Sequence, residues 1–172
     1  MNNEELSEID IRMLQKWGNE ERAYNFIKEE FQVINKTCFN DELPELEIEI
    51  RPMFAREGDI LFGSSSAGAE YYAKDSVMEA RIVLYSVALL EEELAVTVLA
   101  HEMVHYWEDF TKNLSAEYSY PEEFDQIISQ HFKDGIKQQS WRNGHSRRFL
   151  GKISEVAETL KLSSKRILYD AK

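Results

Sequence analysis

Thiols are almost missing from this chain: its 172 residues include one cysteine, Cys38. A single thiol excludes an internal disulfide framework and any zinc ribbon built on cysteines, since both need several. Cys38 is read instead as a small buried apolar residue. No window holds the roughly eighteen uninterrupted apolar residues that a membrane helix requires. The start, MNNEELSEIDIRM, is acidic where a signal peptide would be basic and then apolar, so the expectation is a soluble, cytoplasmic protein with no membrane partner. Internal repeats and low-complexity linkers are also missing, and the length suits one domain over 1–172 better than two. The loop-like stretch from Gly63 to Gly68 lacks the GK[ST] ending of a phosphate loop, which argues against nucleotide binding.

Positive charge is scarce over most of the chain. Residues 1–132 hold 10 Lys and Arg against 28 Asp and Glu, whereas residues 133–172 hold 10 against 4, for a formal net charge of −12. An acidic body repels nucleic acid and anionic membranes at long range. The basic C-terminal region either attracts that body within the fold or offers a face to phosphates or an acidic protein segment. Its densest cluster is Arg142, Arg147, Arg148, Lys152, Lys165 and Arg166. Single-stranded DNA is expected to bind there only weakly, with a steep dependence on salt.

What is present reads as alternating regular structure. Ala23, Ile27, Phe31, Ile34 and Cys38 recur at spacings of three and four and predict one long amphipathic helix over 20–38. A weaker stripe over 4–17, ended near Gly18, predicts a separate short helix. Leu46, Ile48 and Ile50 alternate with Glu47 and Glu49 before Pro52, the period of a strand with one wet face. Two further strands are expected around 66–73 and 80–86, the second reading ARIVLYS. Helical spacing returns over 91–110, a helix opened by Pro121 should run through Phe132, and a final helix should cover 146–160. The predicted fold class is α+β: helices segregated from a small three-stranded antiparallel sheet.

His101-Glu102-Met103-Val104-His105 is an HExxH sequence inside the predicted helix 91–110. Residues four apart project from the same face one turn apart, so both imidazoles can reach one zinc ion while Glu102 can act as general base on a water in the open position. From the composition, roughly one such chain in a hundred would carry the pattern by chance, so its placement in a helix that follows an apolar strand weighs in favour of a site. A catalytic zinc takes three protein ligands. Candidates for the third are His131, His145 and an acid such as Glu117, Glu122 or Glu123. His145 is favoured because it follows Gly144 just ahead of the final helix, whereas His131 sits among polar neighbours. Tyr71, Tyr72, Tyr106, Tyr118 and Tyr120 are potential donors to an oxyanion, none of them singled out.

These motifs together resemble the SprT-like (Spartan-type) metallopeptidases over about residues 24–160. The sequence Cys38-Phe39-Asn40-Asp41-Glu42-Leu43-Pro44 is similar to that family's F-x-x-x-L-P approach to its first strand. It is followed by Ala67-Gly68 with Tyr72, by ARIVLYS, and by AHEMVHYW, which is similar to the family's HEMIH helix. Gly144-His145-Ser146-Arg147-Arg148-Phe149 matches the family's G-H-G-P-x-F at Gly, His and Phe. The resemblance implies a minimal zincin-like domain and a zinc-dependent endopeptidase, with His101, His105 and His145 as ligands and Glu102 as base. Its substrates would be proteins or peptides. The stretch between HExxH and the third histidine is longer here, and the C-terminal zinc ribbon of many members is absent. Spartan-type members are associated with DNA-dependent cleavage of proteins crosslinked to DNA. Two other readings are a non-catalytic zinc-stabilised module that binds DNA or protein, and a peptidase effector of a phage or mobile element.

Overall fold

Reciprocal capping starts the first helix: the Ser7 hydroxyl accepts from the Asp10 amide at 3.2 Å, and the Asp10 carboxylate accepts from the Ser7 amide at 3.1 Å. In the computed structural model, which describes residues 6–51, 69–73, 79–111 and 118–169, α1 spans Glu8–Trp17 and ends at Gly18, whose φ of 85° suits glycine. Asn19 then caps α2, Glu20–Cys38, by accepting from the Arg22 amide at 2.8 Å. Ala23, Ile27, Phe31 and Ile34 are buried on its predicted face, while Cys38 is half-buried at its end.

The turn after α2 is pinned by one amide. Asn35 donates to the Leu43 carbonyl at 2.8 Å and accepts from the Leu43 N–H at 3.1 Å. Asn40 and Asp41 between them adopt left-handed backbone, φ 53° and 61°, which these two residue types accept more readily than most. The Tyr106 hydroxyl donates to the Pro44 carbonyl at 3.1 Å and ties this turn to the central helix.

Strands β1 (Glu47–Arg51), β2 (Ala69–Tyr72) and β3 (Arg81–Tyr85) form a sheet of order β1-β3-β2. The expected antiparallel sheet is in fact mixed. β1 runs parallel to β3 with Ile48 opposite Ile82, and β2 runs antiparallel to it with Tyr71 opposite Ile82. Side-chain alternation reports which face is buried and carries no information on strand direction. β3 enters between two strands already laid down, which makes it the central strand. Ile82, Val83 and Leu84 are all fully buried there, the continuous apolar run of a strand covered on both faces. Of the predicted second strand, residues 66–68 lie outside the described residues.

A 3-10 turn, Ser86–Leu90, leads into α3, Glu92–Phe110. From Ala95 to Trp107 nearly every residue of α3 is buried, because the 3-10 turn, α2, β2, β3 and the helices over 147–160 and 164–169 surround it. Helices α4 (Glu123–His131), α5 (Gly135–Gly144), α6 (Arg147–Leu160) and α7 (Ser164–Tyr169) follow. Among the described residues the fold is therefore α+β, with seven α-helices and one small sheet. α5 and α7 were not expected: α5 buries no side chain and so has no apolar stripe, and α7 has six residues, too few for a period. Pro121 precedes its helix by two residues. Among the described residues no helix is long and apolar enough to cross a membrane.

α6 can approach the segment at 118–120 closely only because Gly151 has no side chain. A Cβ there would meet the Tyr118 Cβ at 2.5 Å and the Ser119 carbonyl oxygen at 3.1 Å. Gly151→Ala should destabilise the protein by about 1–3 kcal/mol through overpacking. The expected result in urea is a lower midpoint with an unchanged m value; an unchanged midpoint would show that the segment yields freely.

Candidate metal centre

His101 and His105 lie on one face of α3, with ring centroids 5.1 Å apart. The third imidazole comes from the joint between α5 and α6. His145 is the C-cap of α5, its N–H donating to the Arg142 carbonyl at 3.2 Å, and Ser146 immediately caps α6 by accepting from the Phe149 amide at 3.1 Å. The His145 ring then sits 5.3 Å from that of His101 and 4.9 Å from that of His105. One ring nitrogen from each residue falls within 4.8 Å of the other two. The three histidines are thus close enough to hold a metal ion.

The surroundings settle which nitrogens face inward. His101 Nδ1 lies 2.5 Å from the Ile167 carbonyl oxygen, and His145 Nδ1 lies 2.7 Å from that of Trp141. A carbonyl can only accept, so each Nδ1 carries the proton and each Nε2 keeps a bare lone pair. These two Nε2 atoms are 3.3 Å apart. No proton lies between them, yet the separation is that of two nitrogens each about 2.0–2.1 Å from a shared tetrahedral ion. The donor set therefore fits a metal.

Burial keeps all three rings neutral. Desolvation lowers the His101 pKa to about 4, with the Ile167 carbonyl working in the opposite direction. Desolvation, then the His101 and His145 rings, takes His105 to about 2; desolvation and His101 take His145 to about 3. The dryness comes chiefly from Phe149, which is fully buried and lies 5.1, 4.4 and 4.8 Å from the rings of His101, His105 and His145. Trp141 stacks on His145 at 3.9 Å, its plane tilted by 7°.

Charged groups at the end of α3 fix the height of α6 above it. The Ser146 hydroxyl donates to the Glu108 carboxylate. The Arg148 guanidinium donates to the Glu108 and Thr111 carbonyls at 3.3 and 2.9 Å and lies over the Trp107 ring at 4.4 Å. One turn beyond His105, Asp109 accepts from the Tyr71 hydroxyl at 2.9 Å, which sets the Tyr71 ring parallel to His105 at 6.5 Å. Glu102, adjacent to His101, is 5% exposed.

The other sequence candidates lie elsewhere. His131 is exposed at the end of α4 against Phe132, Glu122 and Glu123 are exposed at its start, and Glu117 lies outside the described residues. Of the five tyrosines Tyr71 alone borders the site; the hydroxyls of Tyr72, Tyr106 and Tyr120 go to Glu70, Pro44 and Asp125, and Tyr118 packs on Trp107. The basic cluster largely faces its own protein. Arg142 pairs with Asp125 at 2.8 Å, Arg166 with Glu93 at 2.9 Å and Glu91 at 3.5 Å, and Lys152 donates to the Cys38 carbonyl at 2.9 Å. With Arg148, which donates to carbonyls at the end of α3, four of the six cations are engaged, while Arg147 and Lys165 are exposed.

Trp141 and the Ile167 carbonyl are parts of the site that sequence reasoning missed. Asp134, which caps α5 by accepting from the Ile136 amide at 2.9 Å, was the one signal for a helix that would put Trp141 a turn before His145. Compared with family models, curated proteins and solved structures, the chain finds no match.

The lowered histidine pKa values carry a sign. Unfolding releases the rings to the ordinary value near 6.5, so below that pH the unfolded chain binds more protons and stability falls. Metal-free protein should be most stable above about pH 6.5 and should lose up to about 1.4 kcal/mol per pH unit for each buried histidine as the pH drops. Urea titrations at pH 7.5, 6.0 and 5.0 measure this, and His145→Gln should flatten the slope. A stability independent of pH over that range would contradict neutral, buried rings.

Proposed function

We propose that this chain is a zinc-dependent endopeptidase of the SprT-like kind, hydrolysing peptide bonds in protein substrates. The observation that carries the reading is the convergence of three neutral imidazoles, with bare Nε2 atoms 3.3 Å apart in the pair His101–His145, on the helical turn that holds Glu102. Zinc, when bound, supplies a Lewis acid that polarises a carbonyl and makes water acidic enough to lose a proton near neutral pH. The Glu102 carboxylate takes that proton as water attacks the scissile carbonyl and delivers it to the leaving amine nitrogen. Phe149 and Trp141 exclude bulk water from the ligand side, which strengthens each of these charge interactions.

A position left to water beside three histidines would favour an enzyme over a structural zinc module. Structural sites are closed by four protein ligands, and among the described residues no fourth His, Cys, Asp or Glu joins the cluster. The substrate edge is the second support. Among the described residues β2 pairs only with β3, and its Tyr71 borders His105, so an extended peptide added to the other edge of β2 would pass the metal site. Main-chain pairing of that kind tolerates many sequences. The engaged basic cluster argues against DNA as the main partner, which leaves DNA contact to Arg147 and Lys165. A cytoplasmic setting belongs to the same proposal and is in keeping with the one free thiol, Cys38.

Two measurements test it. The chain should bind one zinc, and His101→Ala, His105→Ala or His145→Ala should each weaken binding by more than the ~10–100-fold typical of losing an outer partner, while His131→Ala should leave it unchanged; competition with a chromophoric chelator reads this directly. Glu102→Gln should keep zinc and thermal stability yet lower cleavage of an unfolded protein by about 10²–10⁴-fold. Full activity in that variant, or in chelator-treated wild type, would sink the peptidase reading. Tight zinc binding with no cleavage of any unfolded protein would favour the binding module.

A further inference from the structure

The last helix lies beyond the stretch that resembles the peptidase family, yet one of its backbone atoms reaches the metal centre. Lys161 turns the chain in left-handed backbone, φ 55°, and the Leu162 amide closes α6 by donating to the Ala157 carbonyl at 2.9 Å. α7 then returns across α3, with Ile167 and Leu168 fully buried. Arg166 anchors it to the start of α3 through the N-cap Glu91 and through Glu93. The last carbonyls of a helix have no partner within it. The Ile167 carbonyl is one of these, and it accepts the Nδ1 proton of His101.

We propose that α7 is a strap that positions the first metal ligand: its docking holds His101 in the tautomer with a bare Nε2, so that metal binding and docking of residues 164–169 strengthen each other. Without this carbonyl, Nδ1–H would be a buried donor with its partner lost, and the proton could move to Nε2, where it blocks the metal. Ile167 acts through His101 and is a positioning residue. Coupling of this kind is reciprocal: the factor by which docked α7 raises metal affinity is the factor by which metal favours docking. Outer partners of ligating histidines are worth about 10–100-fold in affinity, and that is the range expected here. The inference rests on the metal centre of the proposed function and is independent of peptidase activity.

Zinc affinity, measured by chelator competition, should fall about 10–100-fold in a chain ending at Ser163, and by a smaller factor in Arg166→Ala, which loosens the strap but keeps the carbonyl. Long-range ¹H–¹⁵N spectra of metal-free protein should give a single Nδ1–H pattern for His101 in the full chain and a mixture of tautomers in the shortened one. In a shortened chain that stays folded, a loss of general stability would not by itself produce that mixture. Hydrogen exchange on the full chain needs no variant and decides the matter if the shortened chain fails to fold. Saturating zinc should slow exchange of the 164–169 amides by about 10–100-fold relative to those of α1. Equal zinc affinity without α7, or exchange in 164–169 that zinc leaves unchanged, would overturn the strap while leaving the metal centre standing. A full chain that binds no zinc would overturn both.

Discussion

Burying an imidazole in apolar surroundings without a partner for its N–H is costly, and three of them meet in this protein against one phenylalanine ring. Much of the surrounding architecture answers that constraint. Two backbone carbonyls, from helix ends that have carbonyls to spare, take the protons of His101 and His145. Both carbonyls come from helices that lie late in the chain, so the site on α3 is completed only after α5 and α7 have folded over it. Phe149 and Trp141 supply the dry contacts that keep the rings neutral.

The second constraint is charge. An acidic body and a basic C-terminal region in one chain attract each other, and the pairs Arg166–Glu91, Arg166–Glu93 and Arg142–Asp125 are where the attraction is realised. Each exposed pair is worth at most about 1 kcal/mol. Their value lies in direction, since they tie α7 to the start of α3 and α5 to α4. Arg148 contributes differently, by donating to carbonyls at the end of α3, where the helix dipole favours a cation.

Much of this was legible in the residues. The spacing of Ala23, Ile27, Phe31 and Ile34 marked α2 and its buried face, the Ile48–Ile50 alternation marked β1, and HExxH placed two imidazoles on one turn of α3. Gly144-His145 pointed to a histidine that the chain brings beside them. The rest left no trace of the kind that periodicity detects. Strand direction is set by connections, so the parallel pairing of β1 with β3 was invisible. α5 has no fully buried side chain and packs inward mainly through half-buried Trp141, which left no stripe to read. The Ile167 carbonyl is a main-chain atom 66 residues from His101, and main-chain atoms have no letter in a sequence.

His145 hangs at a joint two residues long, between a helix with no fully buried side chain and a helix whose Phe149 is sealed in the core. Two of the three imidazoles therefore sit on the most buried helix of the fold, and the third lies at its rim. Substitutions along the exposed outer face of α5 meet little packing penalty, so that face can vary while the interior around His101 stays untouched.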